Sequence, residues 1–287
     1  MKKLLLSAVS LAVLTGSAIA ADLPTRKEAV LPPPPSFTWT GLFGGVNVGY
    51  GFSANNSGYG SWTAPSVNVA GSGTGVSNAS GVLGGGQIGY NYQWNPYLVL
   101  GVEADAQASD INGNSYGARG AYTGNAISMG QNNLAIDWFG TARGRIGLTM
   151  PGYSNFMVYG TGGFAYGNAY ANVVQTAYEN VSGANGYLQT NTWVGGGRQN
   201  QLLTGWTAGG GAEWMFMPNW SLKAEALYWD LGRMNVQTAS YGVSGNANTV
   251  ANTVGWGRSS VSYQGVQAKV GVNYHFNWGA APIVAAY

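Results

Sequence analysis

The chain has 287 residues, of which only 8% are charged, 47 are glycine and none is cysteine, whereas about a quarter of an ordinary soluble domain is charged. The lack of cysteine excludes a disulfide framework and thiolate metal sites. The formal charge of +2 comes from Lys2 and Lys3 alone. The other basic and acidic side chains balance, leaving no cationic surplus to hold nucleic acid.

Lys2 and Lys3, the apolar run Leu4 to Leu14 and the Ala18-Ile19-Ala20 pattern read as a secretory signal peptide over residues 1–20. Its apolar run is too short to cross a membrane as a helix, and no later window approaches the roughly 18 apolar residues that a span needs. Residues 21–37 form a leader in which Pro32-Pro33-Pro34-Pro35 is an extended polyproline spacer with no means of packing.

From residue 38 onward the hydrophobic period is two. Strands are expected near residues 39–52, 82–93, 98–107, 136–150, 156–170, 205–216, 220–232 and 262–276. In the first, Leu42, Gly44, Val46, Val48 and Tyr50 alternate with Phe43, Gly45, Asn47 and Gly49. Asn95-Pro96-Tyr97 and residues 151–155 are short turns. Residues 54–79, 110–135, 171–200 and 231–261, rich in Gly, Ser and Asn, read as four long loops. The hairpin from Gly205 to Gly232 is the most regular part. Ala208, Gly210, Ala212 and Trp214 share one face, and Thr207, Gly209, Gly211 and Glu213 the other. Like faces must meet across a turn, so Glu213 opposes Lys223 and Met217-Pro218-Asn219 forms a three-residue loop.

Charges at strand centres and apolar residues on the opposite face invert the pattern of a soluble sandwich. The expected fold is all-β: an eight-stranded antiparallel up-and-down transmembrane barrel over residues 38–276, with short periplasmic turns and four long extracellular loops. Residues 277–287 form a C-terminal extension. Aromatic residues fall at two levels of the outward face. Trp39, Tyr92, Trp214, Trp220, Tyr274 and Phe276 lie near the short turns. Tyr50, Trp138, Phe164, Tyr166, Trp206 and Tyr228 lie toward the long loops.

The inward face carries Glu103, Asp105, Arg143, Arg145, Glu213, Lys223, Glu225 and Lys269. Glu103 is level with Arg145, and Asp105 with Arg143, on strands expected to be neighbours. Lys223 is expected to partner Glu213 or Glu225. Buried charges persist when paired and hydrogen-bonded, and eight strands enclose a space that side chains can fill. A paired network plugging the barrel is the expectation, and a narrow gated ion path is the alternative. No catalytic, cofactor or metal residue is assigned. His275 is the single histidine and is read as a lumen-mouth side chain; one histidine without cysteine does not make a metal site. The strings Gly84-Gly85-Gly86, Gly195-Gly196-Gly197 and Gly209-Gly210-Gly211 do not precede a helix and carry no nucleotide signal.

Several stretches resemble the alphaproteobacterial outer-membrane β-barrel surface antigens, a porin-family group similar in fold to opacity-type and OmpA-type barrels. They are Trp39-Thr40-Gly41-Leu42-Phe43-Gly44-Gly45, Gly140-Thr141-Ala142-Arg143-Gly144-Arg145-Ile146-Gly147, Tyr159-Gly160-Thr161-Gly162-Gly163, and the hairpin with Glu213, Asn219-Trp220, Lys223-Ala224-Glu225 and Asp230-Leu231-Gly232. The resemblance implies an integral protein of the Gram-negative outer membrane, with roles in envelope structure and surface interaction and without a catalytic residue. Its implied partners are outer-membrane lipid and lipopolysaccharide, the barrel-insertion machinery through the last strand, and a host or surface partner through the loops. Some relatives are called porins or linked to haem binding, which makes a narrow channel the alternative function and a haem-binding barrel a more distant one. Such barrels end on the Phe of the last strand. Here Phe276 is followed by eleven further residues, 277–287.

Overall fold

A computed structural model describes residues 37–53, 56–64, 69–77, 79–120, 125–150, 152–182, 188–246 and 249–276. The signal peptide, the leader as far as residue 36 and the extension 277–287 lie outside the described residues. Ten strands form one antiparallel sheet: β1 (Gly41–Ser53), β2 (Asn56–Ala64), β3 (Val69–Ser77), β4 (Ser80–Gln93), β5 (Leu98–Gly120), β6 (Asn125–Met150), β7 (Tyr153–Ser182), β8 (Leu188–Met217), β9 (Trp220–Asn246) and β10 (Thr249–Phe276). β1, β4 and β5 to β10 make a ring of eight, closed where β1 pairs with β10 from Leu42 opposite Phe276 to Ser53 opposite Gly265. Closure leaves no hydrogen-bonding edge in this part of the wall.

The four expected long loops are corrected. Strands β5 to β10 run on through the described parts of 110–135, 171–200 and 231–261, and the hairpin β2–β3 occupies most of 54–79. The reason lies in the sequence. Met234, Val236 and Thr238 are buried while Arg233, Asn235 and Gln237 are exposed, so the period of two continues past Gly232. Ala169, Ala171 and Val173 are likewise buried on the continuation of β7. The abundance of Gly, Ser and Asn in these stretches hides that alternation.

The hairpin β8–β9 has the expected register, with Glu213 opposite Lys223, but a different turn. Met217 pairs with Trp220, so the turn is the two residues Pro218-Asn219, and Phe216 is the extra residue of an irregularity between Met215 and Met217. A two-residue turn matches the twist of its strands better than an open three-residue loop, and a bulge absorbs the odd residue. The turn also clamps the end of the barrel. Asn219 Nδ2 donates to the His275 carbonyl at 2.8 Å, and the His275 amide donates to the Asn219 carbonyl at 2.8 Å.

The wall changes character partway along its length. On the turn side the outward face is apolar, with Val46, Val48, Ile88, Val102, Ile146, Leu148, Leu222 and Val270 exposed, while polar side chains point in. Register shifts then occur at one level: between Ala108 and Ile111 on β5, between Ile136 and Trp138 on β6, and between Tyr263 and Gln264 where β10 meets β9. Gly232, at φ 81°, supplies the left-handed residue on β9 at that level. Beyond it the polarity reverses. Ile111, Leu134, Ile136, Met234, Val236 and Val261 are buried, and Asp110, Asn112, Asp137, Asn200, Arg233, Asn235 and Arg258 are exposed. On β6 and β9 one extra residue at this level moves the inward set from odd to even numbers, whereas β5, β7, β8 and β10 keep odd-numbered residues inward throughout. The outward face is thus an apolar band in the first part and mixed in the next, where these polar side chains stand beside exposed Val194, Leu202, Tyr241, Val254 and Trp256.

The expected aromatic levels are largely outward. Tyr92, Trp138, Trp206, Trp214, Trp220, Tyr274 and Phe276 are exposed, and Tyr228 is half-buried against Trp206 at 5.3 Å. Trp39 is the correction. It is fully buried inside the barrel, where Nε1 donates to the Ser154 carbonyl at 2.9 Å and the indole meets the His275 ring edge-on. It has the odd parity of the buried Phe43 and Asn47, so its inward direction continues the alternation of the first strand, which the outward assignment went against.

Candidate functional site

The inward residues of the eight-stranded ring form three layers. Nearest the short turns, Trp39, Val99, Met157, Tyr159 and Met215 pack together, with Phe37 against them. At mid-height lie the eight charged residues. At and past the irregular level, Leu83, Ile111, Leu134, Ile136, Phe139, Leu203, Trp229, Leu231, Met234, Val236, Val261 and Tyr263 form a second apolar core. Phe139 and Trp229 lie 5.6 Å apart across it. The sequence reading did not anticipate this core; the buried period of two through Met234 and Val236 was the available signal.

Glu103, Asp105, Arg143, Arg145, Glu213, Lys223, Glu225 and Lys269 are each no more than 4% exposed, and the structure brings all of them together. Arg143 reaches Glu103 at 2.7 Å, Asp105 at 3.0 Å and Glu225 at 3.0 Å. Arg145 spans Glu103 at 3.1 Å and Glu213 at 2.6 Å. Lys269 joins Asp105 at 2.6 Å to Glu225 at 3.1 Å, and Lys223 binds Glu103 at 2.6 Å. Guanidinium groups suit this role because their planar fork serves several carboxylates at once. Arg145 is further held between two rings, 4.4 Å from the centre of Tyr159 and 5.2 Å from that of Phe43.

Two details of the pairing differ from expectation. In the ladder, Glu103 faces Arg143 and Arg145 faces Gly101, an offset of two residues from the levels counted along the sequence. Strand tilt and stagger, which close a barrel, produce such offsets. Lys223 faces Glu213 in the ladder, yet its ammonium bonds to Glu103. Glu213 is served instead by Arg145, by Ser221 Oγ at 2.6 Å and by Asn273 Nδ2 at 2.8 Å. Asn273 extends the network through Gln87, at 2.5 Å, to Asn47 at 3.0 Å.

His275 is not at an open mouth; it is 1% exposed. Its Nε2 lies 2.9 Å from Ser221 Oγ and 3.4 Å from Glu213 Oε1. Serine, histidine and glutamate thus meet, but serine and carboxylate share one ring nitrogen. A nucleophilic triad needs the base between them, with one partner on each nitrogen. Glu103, Asp105 and Glu225 bring carboxylate oxygens within 4.8 Å of one another, a grouping that could hold a cation. Here Arg143 contacts all three, so a metal ion would have to displace the chain's own guanidinium.

No family model matches the chain. It is 36% identical over 239 residues to the 31 kDa outer-membrane immunogenic protein of Brucella melitensis biotype 1, across 82% of this chain and 90% of that protein. The protein of the same description from Brucella suis biovar 1 matches to the same extent. Among solved structures, the outer membrane protein OprG from Pseudomonas aeruginosa is similar at 14% identity and a TM-score of 0.41, over 84% of this chain and 99% of that chain. Ail, the attachment invasion locus protein of Yersinia pestis, is similar at 12% identity and a TM-score of 0.27, over 80% of this chain and 99% of that chain. With an apolar outer band around a closed eight-stranded ring, the chain belongs to the family of the Brucella 31 kDa outer-membrane immunogenic protein, β-barrels of the Gram-negative outer membrane.

Proposed function

We propose that the protein is a non-conducting envelope barrel that carries a rigid, water-facing platform above the outer leaflet, where it meets surface partners. The observation that carries this reading is the layering of the lumen. An apolar layer around Trp39 and Met157 lies below the charges, and another around Phe139 and Trp229 lies above them. Between the two, four acids and four bases neutralise one another. An ion entering from either side would have to shed water against apolar side chains. This supports the structural reading over the narrow porin-like channel. The same filling of the lumen counts against a haem-binding barrel, since a haem needs a cleft of several hundred Å³. Enclosure of Ser221 and His275, together with their shared ring nitrogen, supports a protein without catalytic activity.

On this reading residues 1–20 direct export, the last strand with Phe276 serves the insertion machinery, and the outer apolar band contacts lipid and lipopolysaccharide. The short turns face the periplasm and the long strand extensions face outward, as in other barrels of this kind. The deciding experiment is conductance in planar bilayers, with protein whose folding is verified by heat-dependent mobility in electrophoresis. The proposal expects no discrete steps. Reproducible unit conductance from the folded protein would overturn it in favour of the channel.

A further inference from the structure

The exposed charges of the upper wall are sorted by side. Arg198 of β8, Arg233 of β9 and Arg258 of β10 are all exposed. Asp110 of β5 and Asp137 of β6 are exposed on the opposite wall, since β5 stands across the ring from β9 and β6 from β10. Among the described residues every ion pair lies in the lumen, and none includes these three arginines. Asp230, the carboxylate next below them on β9, is taken by the Gly232 amide at 2.8 Å. Three unpaired guanidinium groups on one face, with the acids on the other, make a local field that draws anions.

The three arginines share one patch. Arg258 faces Gln237 across the β9–β10 ladder. On the other side of β9, Gly197, the neighbour of Arg198, lies against the Gln237 carbonyl. Arg198 and Arg258 therefore flank Gln237 at one level, about 10 Å apart by strand spacing. Arg233 stands below on the outward face of β9, with exposed Asn235 between it and Gln237. Trp256, 63% exposed, is the next outward residue beyond Arg258 on β10. A flat aromatic face beside guanidinium groups suits an acidic sugar. The ring packs on the indole, and its phosphate or carboxylate accepts from the guanidinium fork.

Height selects the occupant. Trp206 and Tyr228, 5.3 Å apart, mark the outer aromatic level. From Tyr228 to Arg233 and from Trp206 to Arg198, about 3.3 Å per residue at a tilt near roughly 40° gives heights of about 13 Å and about 20 Å. A headgroup layer is only about 5–7 Å deep. The patch thus lies past the headgroups and faces sideways, into the layer that lipopolysaccharide of the outer leaflet fills with acidic sugars. We propose that Arg198, Arg233 and Arg258, with Trp256, bind the phosphorylated inner saccharide of lipopolysaccharide standing beside the barrel in the same leaflet. The proposal rests on the reading that this end of the barrel faces outward.

Folded protein in detergent is titrated calorimetrically with fully deacylated rough-form lipopolysaccharide, a water-soluble phosphorylated oligosaccharide that does not join the micelle. Saturable binding is expected. It is weakened about tenfold by Arg233→Gln or Arg258→Gln, weakened by added salt, and unchanged by Asp110→Asn on the opposite wall. Removing the phosphates of the saccharide with hydrofluoric acid lowers the affinity, and Trp256→Ala weakens what binding is left. No saturable binding, or binding that the arginine variants leave intact, overturns the site. Displacement by an equal charge of inorganic phosphate overturns the saccharide as the ligand, in favour of a bare anion site. The chain has no cysteine, so Asn114→Cys, on β5 away from the patch, tests the orientation separately through a membrane-impermeant maleimide on intact cells. Labelling without saccharide binding sinks the site and leaves the orientation standing. Binding in detergent without labelling on cells sinks the outward orientation, and with it lipopolysaccharide as the occupant.

Discussion

Lys223 stands directly across the ladder from Glu213, yet its ammonium lies 2.6 Å from Glu103 on another part of the wall. The nearest residue in the sheet is therefore not the electrostatic partner. Glu213 is already satisfied by Arg145, Ser221 and Asn273. Removing Lys223 leaves a buried excess of negative charge, which costs about 3–5 kcal/mol when a partner is truncated. Lys223→Met is expected to destabilise the barrel by about that much, and adding Glu103→Gln should return a substantial part by restoring neutrality. Lys223→Met combined with Glu213→Gln is expected to be closer to additive. Urea unfolding of the single and double variants in lipid vesicles checks this. Coupling to Glu213 as strong as that to Glu103 would contradict the observed pairing.

Arg145 illustrates a second kind of dependence. Its guanidinium bonds to two carboxylates and is stacked between Tyr159 and Phe43. Lysine keeps the charge but has neither the fork nor the flat face. Arg145→Lys is therefore expected to cost about 1–2 kcal/mol, the size of a desolvated cation–π contact with one weakened ion pair. The measurement is the same unfolding curve, with Tyr159→Leu as the partner variant. In the Arg145→Lys background, Tyr159→Leu should cost less than it does alone.

The turn between β8 and β9 gives a third test. Asn219→Ala removes the side-chain bond to the His275 carbonyl while the backbone bond between the two residues stays. The loss is expected near 1 kcal/mol, the net value of one hydrogen bond. Hydrogen exchange at the end of β10 should rise more than exchange at the centre of β6, because the clamp acts only on the final strand.

Much of the wall was legible because strand parity is a strict rule. Once Glu213 was set opposite Lys223, the inward and outward sets of every neighbouring strand followed. Three things were not legible. The ladder register depends on tilt and stagger, which set Arg143 rather than Arg145 opposite Glu103, although Arg145 still bonds to Glu103 and Arg143 to Asp105. Trp39 was assigned by its nearness to the short turns, although its odd parity, shared with Phe43 and Asn47, points it inward. The strand extensions past Gly232 and Asn168 carry an intact alternation, with the inward parity exchanged on β6 and β9 and kept on β7. Read with the lower parity, an apolar Met234 or Ile136 looks misplaced, and a composition rich in Gly, Ser and Asn completes the impression of a loop. The exchange on these two strands follows from one extra residue in β9 and one in β6.

The change in outward polarity at the irregular level predicts where lipid contact ends, and a single strand can test it. Val102 points outward in the middle of the apolar band of β5 and is 61% exposed, whereas Asn112 points outward past the irregularity between Ala108 and Ile111. An arginine at the bilayer midplane of a barrel costs about 2–4 kcal/mol and falls toward zero at the interface. Val102→Arg is therefore expected to destabilise the folded protein by about 2–4 kcal/mol in vesicles, and Asn112→Arg by no more than about 0.5 kcal/mol, as for an ordinary surface change. Transferring both variants to detergent should shrink the first penalty, since a charged group can reach water more easily at a micelle surface. Equal costs at the two positions would mean that the apolar band extends beyond the level of Asp110 and Asp137. The faces of the upper barrel would then have to be assigned to lipid rather than to water.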